Sequence, residues 1–183
     1  GTLTGDALTV GASNTALGYA ALTTDTNGSF STAVGNQALA TQNFATATDA
    51  HNTGIGNLAG AVITTGIQNT LVGSLAGDAL TDADMNVAVG YAALSVDTKG
   101  SESTAIGRGA LANQNFTTST DSHNTAVGHS AGQQMTTGIQ NVLLGSNAGL
   151  QLTDADQNVA IGHAALTSDT LGSKSIAIGR EAL

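Results

Sequence analysis

The feature that most constrains this chain is a glycine that closes a short, Asn- or Ser-led apolar stretch and returns at near-constant spacing. The pattern N/S-[TVI]-small-[VIL]-G-x-x-A begins at Asn14, Ser31, Asn52, Asn69, Asn86, Ser103, Asn124, Asn141, Asn158 and Ser175, with successive glycines 17 or 21 residues apart. A short fixed period marks an array in which each unit stacks on the last, so it decides the architecture before residue propensities are weighed. Spacings of 17, 21, 17 and 17 make a 72-residue super-repeat, and residues 14–85 and 86–157 are identical at 46 of 72 positions. Residues 1–183 therefore read as one continuous domain, with full super-repeats at 14–85 and 86–157 and partial ones at 1–13 and 158–183.

Count the motif Asn or Ser as position zero. Positions one and three are Thr, Val, Ile or Leu in all ten units, and position two is Ala except at Gly54, Leu71 and Leu143. Such residues suit an extended strand, in which positions one and three share a face. The expectation is a buried row at position three and, opposite it, a row of small residues that another surface can approach. The glycine that follows turns a corner at positive φ without a Cβ penalty. The G-x-x-A-L limb beyond it reads as a second short strand, with one helical turn as the alternative. Position zero fits a corner, either as a left-handed residue or as a rung of an inward amide ladder.

Composition supports stacking over a conventional core. The chain has 24 Gly, no Pro, no Cys and 3% aromatic residues, so rows of Val, Ile, Leu and Ala must supply the packing. A net charge of −9, with only four Lys and Arg, disfavours a nucleic acid partner. Without Cys there is no disulfide or thiolate metal site. No apolar run approaches the roughly 20 residues of a spanning helix, so no membrane insertion is expected of this segment. Both ends fall inside a coil and look uncapped, which suits a piece of a longer fibre.

The 21-residue coils carry Q-N-F-x-T-x-T-D-x-H and are expected to project as loops on one side of the rod. Phe44, His51, Phe116 and His123 are then candidates for contact with a partner, although each Phe can instead fold back as a plug over the coil beneath. Asp82, Asp84, Asp154 and Asp156 lie in D-x-D-x-N and are the calcium candidates. The remaining ligands of a calcium loop are missing, so a solvated acidic turn is the plainer reading and no metal or cofactor is assigned. The Asp-His pairs at Asp49/His51 and Asp121/His123 have no recurrent nucleophile beside them, and no catalytic residue is assigned. Asn27 and Asn115 stand in N-x-S/T sequons and are possible glycosylation sites.

N-[TV]-A-[VI]-G-x-x-A-L resembles the head repeats of YadA-like trimeric autotransporter adhesins, and is similar to N-T-A-I-G-Y-x-A-L arrays of phage tail fibres. The resemblance covers essentially the whole chain. It implies a left-handed parallel β-roll, three chains about one axis, and an extracellular place on a cell surface or virion. The expected function is a structural segment of a surface fibre, a rigid homo-oligomeric rod used in attachment, and not an enzyme. The alternative is an adhesin module that meets host glycan or protein through the projecting loops. A trimer joined through the small-residue rows, including Ala88, Ala105 and Ala160, would cover their flat apolar face.

Overall fold

The computed structural model describes residues 1–183 and contains no helix. Each coil contributes one three-residue strand: Thr15–Leu17, Thr32–Val34, Thr53–Ile55, Thr70–Val72, Val87–Val89, Thr104–Ile106, Thr125–Val127, Val142–Leu144, Val159–Ile161 and Ile176–Ile178. They pair in parallel, in sequence order, as one ten-stranded sheet. The register is strictly homologous, with Thr15 beside Thr32 and Val159 beside Ile176. The chain is thus a β-solenoid of about ten turns, as the spacing predicts.

The strand faces are the reverse of the expectation. Position two points inward: Ala33, Leu71, Ala88, Ala105, Ala126, Leu143, Ala160 and Ala177 are all buried in the chain's own core. Position three points out, with Leu17 63%, Leu144 45% and Ile178 66% exposed. Both rows are apolar, so alternation alone could not choose between them. Internal volume chooses. A second inward row, Ala21, Ala38, Ala59, Ala76 and onward, shares the core with Leu22, Leu39, Ile63, Leu80 and their equivalents, which leaves the strand row room for little more than methyl groups. The alanine row is therefore not an oligomer interface; Ala88, Ala105 and Ala160 are inaccessible.

The exceptions in the small row are explained by the same volume. Leu71 lies against Gly60 and Gly77, where an added Cβ would come within 2.7 and 2.8 Å of its methyl carbons. Leu143 lies likewise against Gly132 and Gly149. Gly54 sits over Leu39, whose Cγ would be 2.8 Å from a Cβ there. Large and small residues thus alternate across the core between neighbouring coils, which keeps packing dense in a narrow section.

The limb after the glycine is neither strand nor helix. G-x-x-A is a β-turn closed by the Ala N–H to the Gly carbonyl, as in Ala76 to Gly73 at 3.3 Å. Its third residue is left-handed, for example Leu58 at φ 60° and Leu75 at 59°. Two residues on, a further left-handed residue follows, either Leu (Leu22, Leu39, Leu94) or Gly (Gly60, Gly77). This alternation sends successive N–H groups in opposite directions along the rod. Gln37 donates to Tyr19 of the coil before, and Leu39 to Ala59 of the coil after. Twenty-five non-glycine residues have positive φ, and none is β-branched, the side-chain type that tolerates it least. Their inter-coil hydrogen bonds offset the conformational cost.

The glycines that end the strands are a different case. Gly90 has φ 134°, and a Cβ there would stand 2.6 Å from the Gly107 carbonyl oxygen of the next coil. Gly90→Ala is expected to destabilise the fold by at least about 3 kcal/mol, from backbone strain and a clash with main chain. Gly109 has φ 66° and nothing nearer than 3.6 Å, and Ala already holds its place in other coils, at Ala20 and Ala92. Gly109→Ala should change stability by under about 1 kcal/mol. Thermal melting of the two variants side by side checks the contrast.

Candidate functional site

Two regions of side chains have the organisation of a site: the outer face of the long sheet and the interior of the 21-residue coils. On the sheet, positions one and three form two parallel columns of Thr, Val, Ile and Leu running the length of the rod. Flanking them is the residue before each motif Asn or Ser, which is left-handed, and in three places its side chain pairs with the equivalent one of the next coil. Phe30 stacks on His51 at 5.1 Å between ring centroids, 9° from parallel. At the equivalent positions of the second super-repeat, His123 Nδ1 lies 2.8 Å from Glu102 Oε2. On the other flank Arg108 lies 5.8 Å over the Tyr91 ring and 3.2 Å from His129 Nε2. His51 and His123 are exposed, each taken up by its neighbour along the rod.

Beneath this face the motif residues form a buried column. The amide of Asn69 donates to the Ala83 carbonyl at 2.8 Å, while its Oδ1 accepts from the Asn86 backbone N–H at 3.0 Å. The same pair of bonds recurs at Asn141, to Ala155 and from Asn158. Position zero is therefore an inward amide ladder, and the left-handed residue is the one before it. Ser31 and Ser103 interrupt the ladder, and a glutamine 11 residues further along the same coil completes it. Gln114 Nε2 donates to Ser103 Oγ at 2.8 Å, and its Oε1 accepts from Asn124 Nδ2 at 2.9 Å. Gln42 does the same between Ser31 and Asn52.

Each glutamine also donates to a fully buried aspartate, Gln42 to Asp25 at 2.5 Å and Gln114 to Asp97 at 2.6 Å. Asp97 Oδ1 further accepts from the N–H groups of Gly100 at 2.9 Å and Phe116 at 3.0 Å. The carboxylate so has backbone and side-chain donors arranged around it, and it ties the inserted coil to the coil before. Sequence reasoning missed this network. Its signal was present in the D-T-x-G-S coil always preceding the Q-N-F coil, with Ser in place of Asn between them.

Phe44 and Phe116 are buried, which removes them as contact residues. Each ring packs on a glycine of the preceding coil: a Cβ on Gly100 would be 2.7 Å from the Phe116 ring. The tips of the insertions, 45–47 and 117–119, are exposed throughout. Beyond them Thr48–Asp49 pairs with Gly28–Ser29, and Thr120–Asp121 with Gly100–Ser101. A deletion that begins at Phe116 would therefore enter the core.

The acidic turns make inter-coil bonds. Asp84 Oδ1 accepts from the Ile67 N–H at 2.8 Å, and Asp156 Oδ1 from Ile139 at 2.9 Å. Asp82 faces Lys99 at 3.6 Å and accepts from Thr81, as Asp154 does from Thr153. No group of three or more His or acidic side chains is placed to hold a metal ion. Asn27 and Asn115 are half-buried, with Asn27 Nδ2 donating to the Phe44 carbonyl and Asn115 Oδ1 accepting from Thr98. Asp78 has one buried oxygen without a partner, and burial pushes its pKa up, its backbone hydrogen bond partly opposing.

The fold is a parallel β-solenoid repeat with an aliphatic outer sheet. Residues 27–48, 99–119 and 159–182 match the YadA head domain repeat. These three stretches are YadA-like head repeats. No curated protein matches at the sequence level, and no solved structure matches the fold. No helix is long and apolar enough to cross a membrane.

Gln114→Leu keeps the volume of the buried side chain but strands Asp97 Oδ2, and it removes one bond each from Ser103 Oγ, which keeps Ser122, and Asn124 Nδ2, which keeps the Gly138 carbonyl. Urea denaturation should show a loss of about 2–4 kcal/mol, since each buried group left unpaired costs about 1–3 kcal/mol. The exposed Gln157→Ala should stay within about 0.5 kcal/mol of the parent.

Proposed function

We propose that residues 1–183 form one continuous segment of an extracellular surface fibre, a rigid homotrimeric rod used in attachment, with its copies joined through the outer face of the ten-stranded sheet. The observation that carries this is the pair of exposed columns at positions one and three. Ten strands of branched side chains at one rise per coil, about 4.7–4.9 Å, make a long flat apolar face. Monomeric proteins rarely leave such a face in water. Packing copies around one axis covers it, and cyclic closure leaves no free face. The YadA-like repeat supports the same arrangement.

Contact through the inserted loops is less well supported. With Phe44 and Phe116 inside, the exposed tips carry only Ala, Thr and Ser, which offer little anchoring surface.

Light scattering on the folded chain should give three times the 17.9 kDa chain mass at micromolar concentration. Ile106→Lys with Leu144→Lys puts two charges on the face, at positions the single chain leaves 37% and 45% exposed. The doubly substituted chain should keep its circular dichroism and fall to monomer mass. A parent chain that is monomeric at micromolar concentration contradicts the proposal.

A further inference from the structure

One cleft lies away from the strand face and the insertions. It has a volume of about 440 Å³ and is lined by Gln133, Gln134, Leu150, Gln151, Thr153 and Thr170. At the equivalent positions the first super-repeat has Ala61, Val62, Asp78, Ala79, Thr81 and Thr98, and no cleft forms there. Much of the backbone pairing is shared: Met135 bonds Gly132 as Ile63 bonds Gly60, and Thr136 bonds Thr153 as Thr64 bonds Thr81. The cleft-bearing coil adds bonds from Gln134 to Leu150 and from Leu150 to Asn147.

Its polar groups are mostly uncommitted. Gln134 Oε1 accepts from Asn113 at 3.1 Å, which leaves Nε2 free. The amides of Gln133 and Gln151 and the hydroxyl of Thr170 have no partner within the chain, whereas Thr153 Oγ1 is spent on the Thr170 carbonyl and Asp154. A primary amide presents a donor and an acceptor side by side on one plane, the complement of neighbouring sugar hydroxyls that each donate and accept. Half-buried Leu150 gives an apolar wall for the C–H side of a sugar ring. No Lys, Arg, His, Asp or Glu lines the cleft, so nothing in it selects a phosphate, a carboxylate or a cation. The chain's net charge of −9 repels anionic ligands from the whole rod. The volume lies within the roughly 300–1,000 Å³ of small-ligand sites.

We propose that this cleft is a binding site for a neutral carbohydrate, of about disaccharide size, held by Gln133, Gln134 and Gln151 against Leu150. The site deepens the attachment role by naming a ligand class, and none of its residues lies on the strand face, so assembly through that face leaves it open.

The test is titration of the intact chain with lactose, cellobiose, chitobiose and maltose, followed by saturation-transfer NMR and calorimetry. Concentrations should reach about 10 mM, because a few hydrogen bonds in a shallow site give Kd values of about 1 mM. Saturable binding of at least one of the four, with one site per chain, is expected. The triple exchange Gln133→Ala, Gln134→Val and Gln151→Ala installs residues that the first super-repeat already carries, so the coil keeps its fold. It should weaken binding about tenfold or more through the lost hydrogen bonds. Absence of saturable binding for all four sugars, or equal affinity in the triple exchange, overturns the site. Mass by light scattering is read on the same samples, so failure of the oligomeric rod is seen separately from failure of the cleft.

Discussion

The interaction on which this structure depends is the buried column of asparagine amides that joins each coil to the next. A 17-residue coil encloses too little volume to define its own fold by apolar burial. Stacked parallel strands of three residues are weak units by themselves, and a slip of one residue would exchange the inner and outer faces. The amide column forbids that slip. Each Asn carbonyl oxygen accepts the backbone N–H of the next motif residue, and each amide nitrogen reaches a carbonyl further along that coil. A slipped coil would leave these buried groups unpaired, which is the costly outcome in a low-dielectric interior. Because every coil is held in one register, the glycines, the left-handed residues and the small inner residues each fall into columns of their own.

Narrowness explains the rest of the packing. In the strand row bulky residues enter only where glycines face them, as Leu71 does between Gly60 and Gly77, while Leu22, Leu39, Ile63, Leu80 and their equivalents fill the rest of the core. The larger branched residues go outside, where they form the face through which copies of the rod would meet. Hence the chain's apolar content is split: small residues and leucines serve the single chain, and branched residues are left for assembly.

How much of this was legible in the sequence follows from what each residue type can signal. The spacing of the glycines was enough for the solenoid, the number of turns and the parallel strands. The glycine corners and the amide ladder followed from residue chemistry, the latter as one of two options at position zero. The inner face was not legible, because Thr-Ala-Val is apolar on both sides and only the volume between the facing rows distinguishes them. The second limb was misread as a strand because left-handed Leu and Ala carry no local signature; they are held there by neighbours in adjacent coils, as Leu39 is by Ala59. The burial of Asp25, Gln42, Asp97 and Gln114 was hidden for the same reason. Their partners are distant in sequence and meet only once the coils are stacked. The cleft beside Gln133 and Gln151 was likewise invisible, since it is a local difference between equivalent coils of two super-repeats.

The central claim is tested most directly at Asn141, whose amide makes bonds to Asn124, Ala155 and Asn158 with no exposed surface of its own. Urea denaturation of Asn141→Ala, followed by circular dichroism, measures what one rung contributes. Removing three or more buried hydrogen bonds and leaving their partners unpaired should lower stability by at least about 3 kcal/mol. A change of under about 0.5 kcal/mol would contradict the account, because the coils would then be held in register by something other than the asparagine column.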